Sequence, residues 1–239
     1  MSDTLIPVKP EIAATALVTA AGWQTMTAAA RDPEAFWAKE CRRIDWITPP
    51  TKILSGGFTG DIRVKWFEDG TLNATISCLD RHLPTRGGQT AIIWEGDDPS
   101  TSEHITYRDL HARVCRLANV LRGFGVAKGD RVCIYLPMVP EAAVAMLACA
   151  RIGAVHTVVF GGFSPDSLAN RIQDADARVL ITADEGRRGG RKVALKTNAD
   201  EALKQCPGVA HVIVVSVTGG EVAMQEGRDH DYATLCAAA

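Results

Sequence analysis

From residue 89 onward, apolar and polar positions follow a regular rhythm. "TAIIWEG" and "EHITY" read as two strands joined by the polar loop "DDPSTS". Thr106 is placed to cap a helix, with Asp109 three residues on. Leu110, Val114, Leu117 and Leu121 give that helix one apolar face, and Gly123 and Gly125 stop it. Four short apolar runs follow: "RVCIYL" (131–136), "VHTVVF" (155–160), "RVLITA" (178–183) and "HVIVVSV" (211–217). One helical pattern separates each from the next: Pro140 to Arg151, then Ser164-Pro165 onward with Leu168 and Ile172 inward, then "NADEALKQC". Strand–helix alternation of this kind predicts right-handed βαβ crossovers and a doubly wound, mostly parallel sheet. The strands are apolar on both faces, as a helix-covered parallel sheet requires.

Residues 1–88 have a different texture. Helices are expected over 11–29 and over 33–43, where Asp32 caps and Pro33 takes the first helical position. "DWITPPTKILSGGFTGD" reads as loop. "WFEDGTLNATISCLDRHL" sets Leu72, Ile76, Leu79 and Leu83 at helical spacing, and "TRGGQT" then breaks the chain. Four of the five tryptophans (Trp23, Trp37, Trp46 and Trp66) fall here and are expected to anchor this layer. The predicted architecture is α/β: a helical N-terminal extension, residues 1–88, packed on a doubly wound, mostly parallel sheet in residues 89–239. Residues 218–239 carry little pattern and end on alanines, which suggests one part of a longer protein.

The 239 residues are 46% hydrophobic and 23% charged, so a real core is expected. Net charge is −2, so any anion site must be local. The seven cysteines, at 41, 78, 115, 133, 149, 206 and 236, include no CxxC pair. They read as reduced core residues of a cytoplasmic protein, and no zinc site is expected. No run approaches the roughly 18 apolar residues of a membrane span. "IAATALVTAAG" (12–22) is flanked by Asp3, Pro7, Lys9, Pro10 and Glu11 and reads as a helix, not as a secretory signal.

Open α/β sheets bind ligands beyond the carboxyl ends of their strands. Two glycine-bearing loops lie at such ends: "FGGFS", Phe160 to Ser164, and "DEGRRGGRK", which packs four basic side chains and three glycines into residues 186–192. Arg188 and Arg191 suit bidentate grip on phosphate oxygens. Gly189 and Gly190 let the backbone approach closely and donate N–H groups. Phe160 offers a stacking face, and Gly161 and Gly162 leave room for a flat ring. Phosphate plus flat ring describes a nucleotide. The residues alone leave alternatives open: a solvated basic turn, a nucleic-acid patch, and for "FGGFS" a tight turn with a helix cap. Asp184 and Glu185 are expected to orient the arginines, and His156, inside an apolar strand, to be buried. The histidines show no metal-like spacing, and no G-x-x-x-x-G-K-[ST], H-E-x-x-H or G-x-S-x-G motif occurs. "GFGVAKG" (123–129) follows a helix and reads as a helix stop.

Three stretches resemble the acetyl-CoA synthetases, within the acyl-adenylate-forming ligase superfamily. They are "WFEDGTLNATISCLDRHL", the run from "ITYRDLHARVCRLANVL" to "FGGFSPDSLANRI", and "ITADEGRRGGRK". The resemblance covers about residues 20 to 220. It implies an N-terminal extension followed by the first subdomain of the large adenylate-forming domain. It also implies a two-step reaction: acetate and ATP-Mg give acetyl-adenylate and pyrophosphate, and the thiol of CoA then displaces AMP to form acetyl-CoA. In that family the basic loop binds the phosphates at the nucleotide end of CoA, a role that carries over to Arg188, Gly189, Gly190 and Arg191. The Phe-Gly-Gly turn contacts the CoA adenine, which carries over to Phe160, Gly161 and Gly162. The family's phosphate loop, acidic ATP motif, hinge and catalytic lysine have no counterpart here. The chain is therefore expected to be the N-terminal third of such a ligase, with no catalytic or metal-binding residue of its own and no activity alone. Acetate, ATP and CoA are the expected partners, without nucleic acid or membrane. Propionate is an alternative acyl substrate, and a non-catalytic nucleic-acid-binding module is the alternative from another class.

Overall fold

The computed structural model describes residues 7–239. It resolves into two compact units, divided between Leu72 and Asn73.

In the first unit, the helix expected over 11–29 is two helices, α1 (Pro10–Thr15) and α2 (Ala20–Ala29). The break has a local cause. Thr19 is extended and its hydroxyl accepts the Gly22 N–H, which starts a new helix in mid-pattern. The helix α3 (Pro33–Glu40) begins as expected, with the Asp32 carboxylate accepting the Ala35 N–H, and tightens into a single 3₁₀ turn over Cys41–Arg43. The stretch read as loop contains an antiparallel pair, β1 (Leu54–Gly57) and β2 (Arg63–Trp66). Gly56, which looks like a breaker, is what lets these strands meet. Its φ is +78°, and a Cβ there would lie 1.7 Å from the Arg63 carbonyl oxygen. Trp37 packs edge-on to Trp66 at 5.7 Å, and Trp46 and Trp66 both pack on Phe67. Trp23 is largely exposed and joins no such cluster among the described residues, contrary to the anchoring role expected for it.

The second unit opens with α4 (Ala74–Cys78) and α5 (Leu83–Arg86), separated by a 3₁₀ turn over Asp80–His82. The expected continuous helix is interrupted at Leu79, whose backbone leaves the helical region while its side chain is buried. Asn73 caps α4 and its amide donates to the Arg151 carbonyl oxygen at 2.8 Å, while Arg151 grips the Asp80 carboxylate from two nitrogens. These bonds join residues 73–88 to the α/β unit. The hairpin β3 (Thr90–Glu95) and β4 (Ser102–Thr106) is antiparallel and leads into α6 (Tyr107–Gly123). The capping box forms as expected, Thr106 Oγ1 accepting the Asp109 N–H and donating to its carboxylate.

The alternating part then runs β5 (Arg131–Tyr135), α7 (Pro140–Ile152), β6 (Val155–Val158), α8 (Pro165–Ala175), β7 (Val179–Ala183), β8 (Gly186–Arg188), β9 (Arg191–Val193), α9 (Leu195–Leu203), β10 (His211–Val215), β11 (Asp229–Asp231) and α10 (Tyr232–Ala238). Five strands form one sheet in the order β11-β10-β7-β5-β6, with every neighbouring pair parallel. β5, β7 and β10 are buried nearly throughout, and Leu110, Val114, Leu117, Leu121, Leu168 and Ile172 close over the sheet from the helices. β6 is an edge, so Val155, His156 and Val158 are exposed, and the expectation of a buried His156 fails on strand position. The cysteines are all free, and Cys41, Cys133, Cys149 and Cys206 are buried, but Cys78 is exposed at the end of α4.

The weakly patterned tail is ordered by charge, not by apolar periodicity. Asp229, with its side chain fully buried, lies 2.9 Å from Lys196 Nζ and 2.5 Å from Arg228 Nε. Lys196, also buried, donates further to Asp200 and to the Ala223 carbonyl oxygen. Burial pushes the Asp229 carboxyl up, but the donors on Arg228, Lys196 and the Gln225 backbone outweigh it and hold it at about 2. This lies below the unfolded value of about 3.9. The stabilisation is therefore complete above the unfolded pKa and is lost as pH falls from about 4 to about 2. Asp229→Asn should cost roughly 3 kcal/mol in urea unfolding at pH 7, because the buried Lys196 and the partly buried Arg228 lose a partner. Its deficit relative to the parent should shrink as pH falls through that window. The Thr182 hydroxyl, fully buried on β7, has no hydrogen-bond partner among the described residues. Thr182→Val is expected to raise stability by about 1 kcal/mol in the same measurement.

Candidate functional site

The strand β5 lies between β6 and β7. The chain leaves β5 to one side, forms β6, and crosses back to place β7 on the other side. This reversal opens a crevice at the carboxyl ends of the strands. The "FGGFS" turn follows β6 and the basic segment follows β7, so the two predicted loops flank the end of β5.

Tyr135, the last residue of β5, seats the first loop. Its buried hydroxyl donates to the Phe163 carbonyl oxygen at 2.9 Å, and Asn198 of α9 lies 3.4 Å away. Burial raises the phenol pKa, an effect the Asn198 contact partly opposes. Gly161 lies flat on the strand end, where a Cβ would stand 3.2 Å from the Leu136 carbonyl oxygen. Ser164 caps α8 through the Ser167 N–H. Phe160 is 52% exposed. Its ring covers Gly162, where a Cβ would lie 2.7 Å from Phe160 Cε1. The space expected at Gly162 for a ligand ring is thus filled by Phe160 itself, and the stacking surface is what Phe160 still exposes.

The basic segment is a hairpin of β8 and β9, turning at Gly189 and Gly190 with φ of +56° and +74°. Two successive positive values mark a type I′ turn, which these glycines adopt without strain. The register pairs Arg187 with Lys192 and Arg188 with Arg191. The Arg188 guanidinium carbon stands 5.2 Å from the Phe160 ring centroid, a cation–π contact that joins the two loops. Neither Arg188 nor Arg191 forms an ion pair with a carboxylate among the described residues.

Two expectations require correction. The N–H groups of Gly189 and Gly190, expected to face a phosphate, donate to the two carboxylate oxygens of Asp97 at 2.8 and 2.7 Å. Asp184 and Glu185 do not orient the arginines. Asp184 is 3% exposed and accepts backbone N–H groups from Glu185, Val217, Thr218 and Gly219. Burial pushes its carboxyl up, but these donors bring it below the ordinary range. Glu185 pairs with Lys192 at 2.6 Å and with the Thr218 hydroxyl, and Lys192 foremost holds its carboxyl below the usual value.

All seven predicted residues therefore gather at one edge. Phe160, Gly162 and Arg188 are in contact, Arg191 stands opposite Arg188, Gly161 supports the turn, and Gly189 and Gly190 shape the hairpin tip. Reading the sequence missed Tyr135 and Asp97. A tyrosine ending an apolar strand is a usable signal, but nothing distinguishes Asp97 from Asp98 in a polar turn. A cavity of about 300 Å³, lined by Phe124, Arg131, Arg178 and His211, lies at the opposite, amino ends of β5, β7 and β10. No group of three or more metal-ligating side chains occurs among the described residues.

A family model described as AMP-binding enzyme matches residues 79–234, and one described as the acetyl-coenzyme A synthetase N-terminus matches residues 24–78. A protein of Parvibaculum lavamentivorans named acetyl-coenzyme A synthetase is 63% identical over 235 residues, covering 98% of this chain and 36% of that protein. One of the same name from Nostoc linckia is 74% identical over 178 residues, covering 74% of this chain and 53% of that protein. The solved structure of acetoacetyl-CoA synthetase from Streptomyces lividans matches with a TM-score of 0.79 at 30% identity, over 89% of this chain and 32% of that one. The chain thus spans between a third and about half the length of these relatives.

Asp184→Asn should lower stability by about 2 kcal/mol, because an amide NH₂ then faces backbone donors. Its folded pKa is depressed, so the difference should narrow as pH falls through that value. Urea unfolding at neutral and acidic pH checks both points.

Proposed function

The chain belongs to the AMP-binding enzyme family, and from this premise we propose that it forms the wall of an acetate–CoA ligase that receives the nucleotide end of CoA. The observation that carries this reading is the Arg188–Arg191 pair, held across a two-residue turn and joined to the exposed Phe160 ring at the carboxyl edge of the sheet. Like charges directly opposite in a hairpin are unfavourable. A multivalent anion between them removes that repulsion and gains charge-assisted hydrogen bonds of about 1.5–3 kcal/mol each. Phe160 presents an apolar face to a purine, and its contact with Arg188 fixes the spacing between ring and phosphates. Gly161 keeps the turn low enough on β5 for that spacing, and Gly189 and Gly190 set the tip that presents the arginines.

In this reading the longer polypeptide joins acetate to ATP as acetyl-adenylate with release of pyrophosphate, a step in which Mg²⁺ would offset the phosphate charge, and the CoA thiol then displaces AMP to give acetyl-CoA. The residues described here take no part in bond making. They bind and orient the carrier that delivers the thiol. Acetate is proposed as the acyl group because of the similarity to proteins named acetyl-coenzyme A synthetase. The free cysteines suit a reducing, cytoplasmic setting.

Calorimetric titration with CoA and with 3′-dephospho-CoA tests the reading. The chain should bind CoA about tenfold more tightly, one charge-assisted contact's worth. Arg188→Ala and Arg191→Ala should each blunt that preference, and Phe160→Ala should weaken both ligands alike. Equal affinity for the two forms would overturn the assignment. Steeply salt-dependent binding of single-stranded nucleic acid, without competition by CoA, would favour the nucleic-acid module instead.

A further inference from the structure

The hairpin that carries Arg188 and Arg191 has three-residue strands, too short to hold a fixed position by its own ladder. Its base is pinned. Lys192 pairs with Glu185, and Gly186 lies against Pro137 and Leu195. Its tip is pinned from elsewhere in the chain, by the Asp97 carboxylate on both glycine N–H groups.

In a two-residue type I′ turn these two N–H groups point out of the ladder and need an outside acceptor. Asp97 supplies one oxygen to each. The loop that carries Asp97 is itself stiff. The Gly96 N–H donates to the Thr101 carbonyl oxygen at 2.7 Å, and the Ser100 N–H and hydroxyl both donate to Asp98 at 2.9 and 2.7 Å. Asp98 thus turns inward to close its own loop, which leaves Asp97 to reach outward. The parent hairpin is tied to the sheet edge by Trp94 Nε1, which donates to the Met138 carbonyl oxygen at 2.7 Å. An unbroken chain of fixed groups therefore runs from the end of β5 through Trp94 and Asp97 to the arginine pair.

We propose that Asp97 is a positioning residue for the CoA phosphates: by clasping the Gly189–Gly190 turn it holds Arg188 and Arg191 at the distance from Phe160 that a 3′-phosphorylated nucleotide spans. This rests on the CoA reading above and adds a residue to it. A carboxylate beside an anion site also repels the ligand, so the sign of the effect is informative. The clasp predicts weaker binding when Asp97 is removed, whereas a carboxylate that merely occupies the phosphate's seat predicts tighter binding.

The test compares the parent chain with Asp97→Ala, Asp97→Asn and Asp97→Glu. Affinity is titrated for CoA and for 3′-dephospho-CoA, and hydrogen exchange is followed at the Gly189 and Gly190 amides. Asp97→Ala should speed exchange at both amides, weaken CoA about tenfold and leave the 3′-dephospho form nearly unaffected, with an unchanged melting temperature. Asp97→Asn, which offers one acceptor in place of two, should fall between, and Asp97→Glu should recover part of the preference. If the parent prefers CoA and Asp97→Ala binds it equally or more tightly, the clasp is refuted and the CoA reading stands. If the parent shows no preference for the 3′-phosphate, both fall together.

Discussion

Two arginines stand opposite each other in the register of a two-residue turn, and the rest of the site is arranged around that pairing of like charges. Arg188 and Arg191 are directly paired in the β8–β9 register. Like charges so placed cost a few tenths to about 1 kcal/mol, and a hairpin this short has little ladder energy to spare. The fold holds it from both ends, through Glu185 and Lys192 at the base and Asp97 at the tip. The arginines are thereby kept close together without a carboxylate partner of their own. A site prepared in this way gains from any anion that bridges the pair, because the ordering is already complete before the ligand arrives.

The sheet supplies the rest. The order β11-β10-β7-β5-β6 puts the turn after β6 and the hairpin after β7 on either side of one strand end. Tyr135, at that end, hydrogen-bonds the first turn and lies 3.4 Å from Asn198 of α9, the helix that follows the second. The charge cluster around the buried Lys196 and Asp229 has a separate task. Lys196, Arg228, Asp200 and Asp229 fasten the last strand and the segment before it to α9. Such a cluster is costly to desolvate and costlier to break, so it favours one arrangement of the tail over others.

The parts legible in the sequence were those written in apolar periodicity. The four long parallel strands, the helices between them and the Thr106 capping box needed only spacing and cap chemistry. The candidate loops followed from glycine and arginine at strand ends. What escaped was held by polar bonds between residues far apart in the chain. Asp229 looks like one acid among several until Lys196 and Arg228 are seen around it, so β11 and α10 were missed. Gly56 reads as a breaker because its tolerance of a close backbone approach has no sequence signature. Asp97 bonds to glycines more than 90 residues away. The exposure of His156 depends on which strand lies at the edge, and strand order is not a local property.

The most direct measurement is an NMR titration of the chain with adenosine 3′,5′-bisphosphate, observing the Phe160 ring protons and the Arg188 and Arg191 side-chain Nε–H resonances. If one nucleotide end occupies both loops, all three should shift along the titration with a single dissociation constant. Shifts confined to the arginines, or centred on Phe124 and His211 at the opposite end of the sheet, would contradict the account.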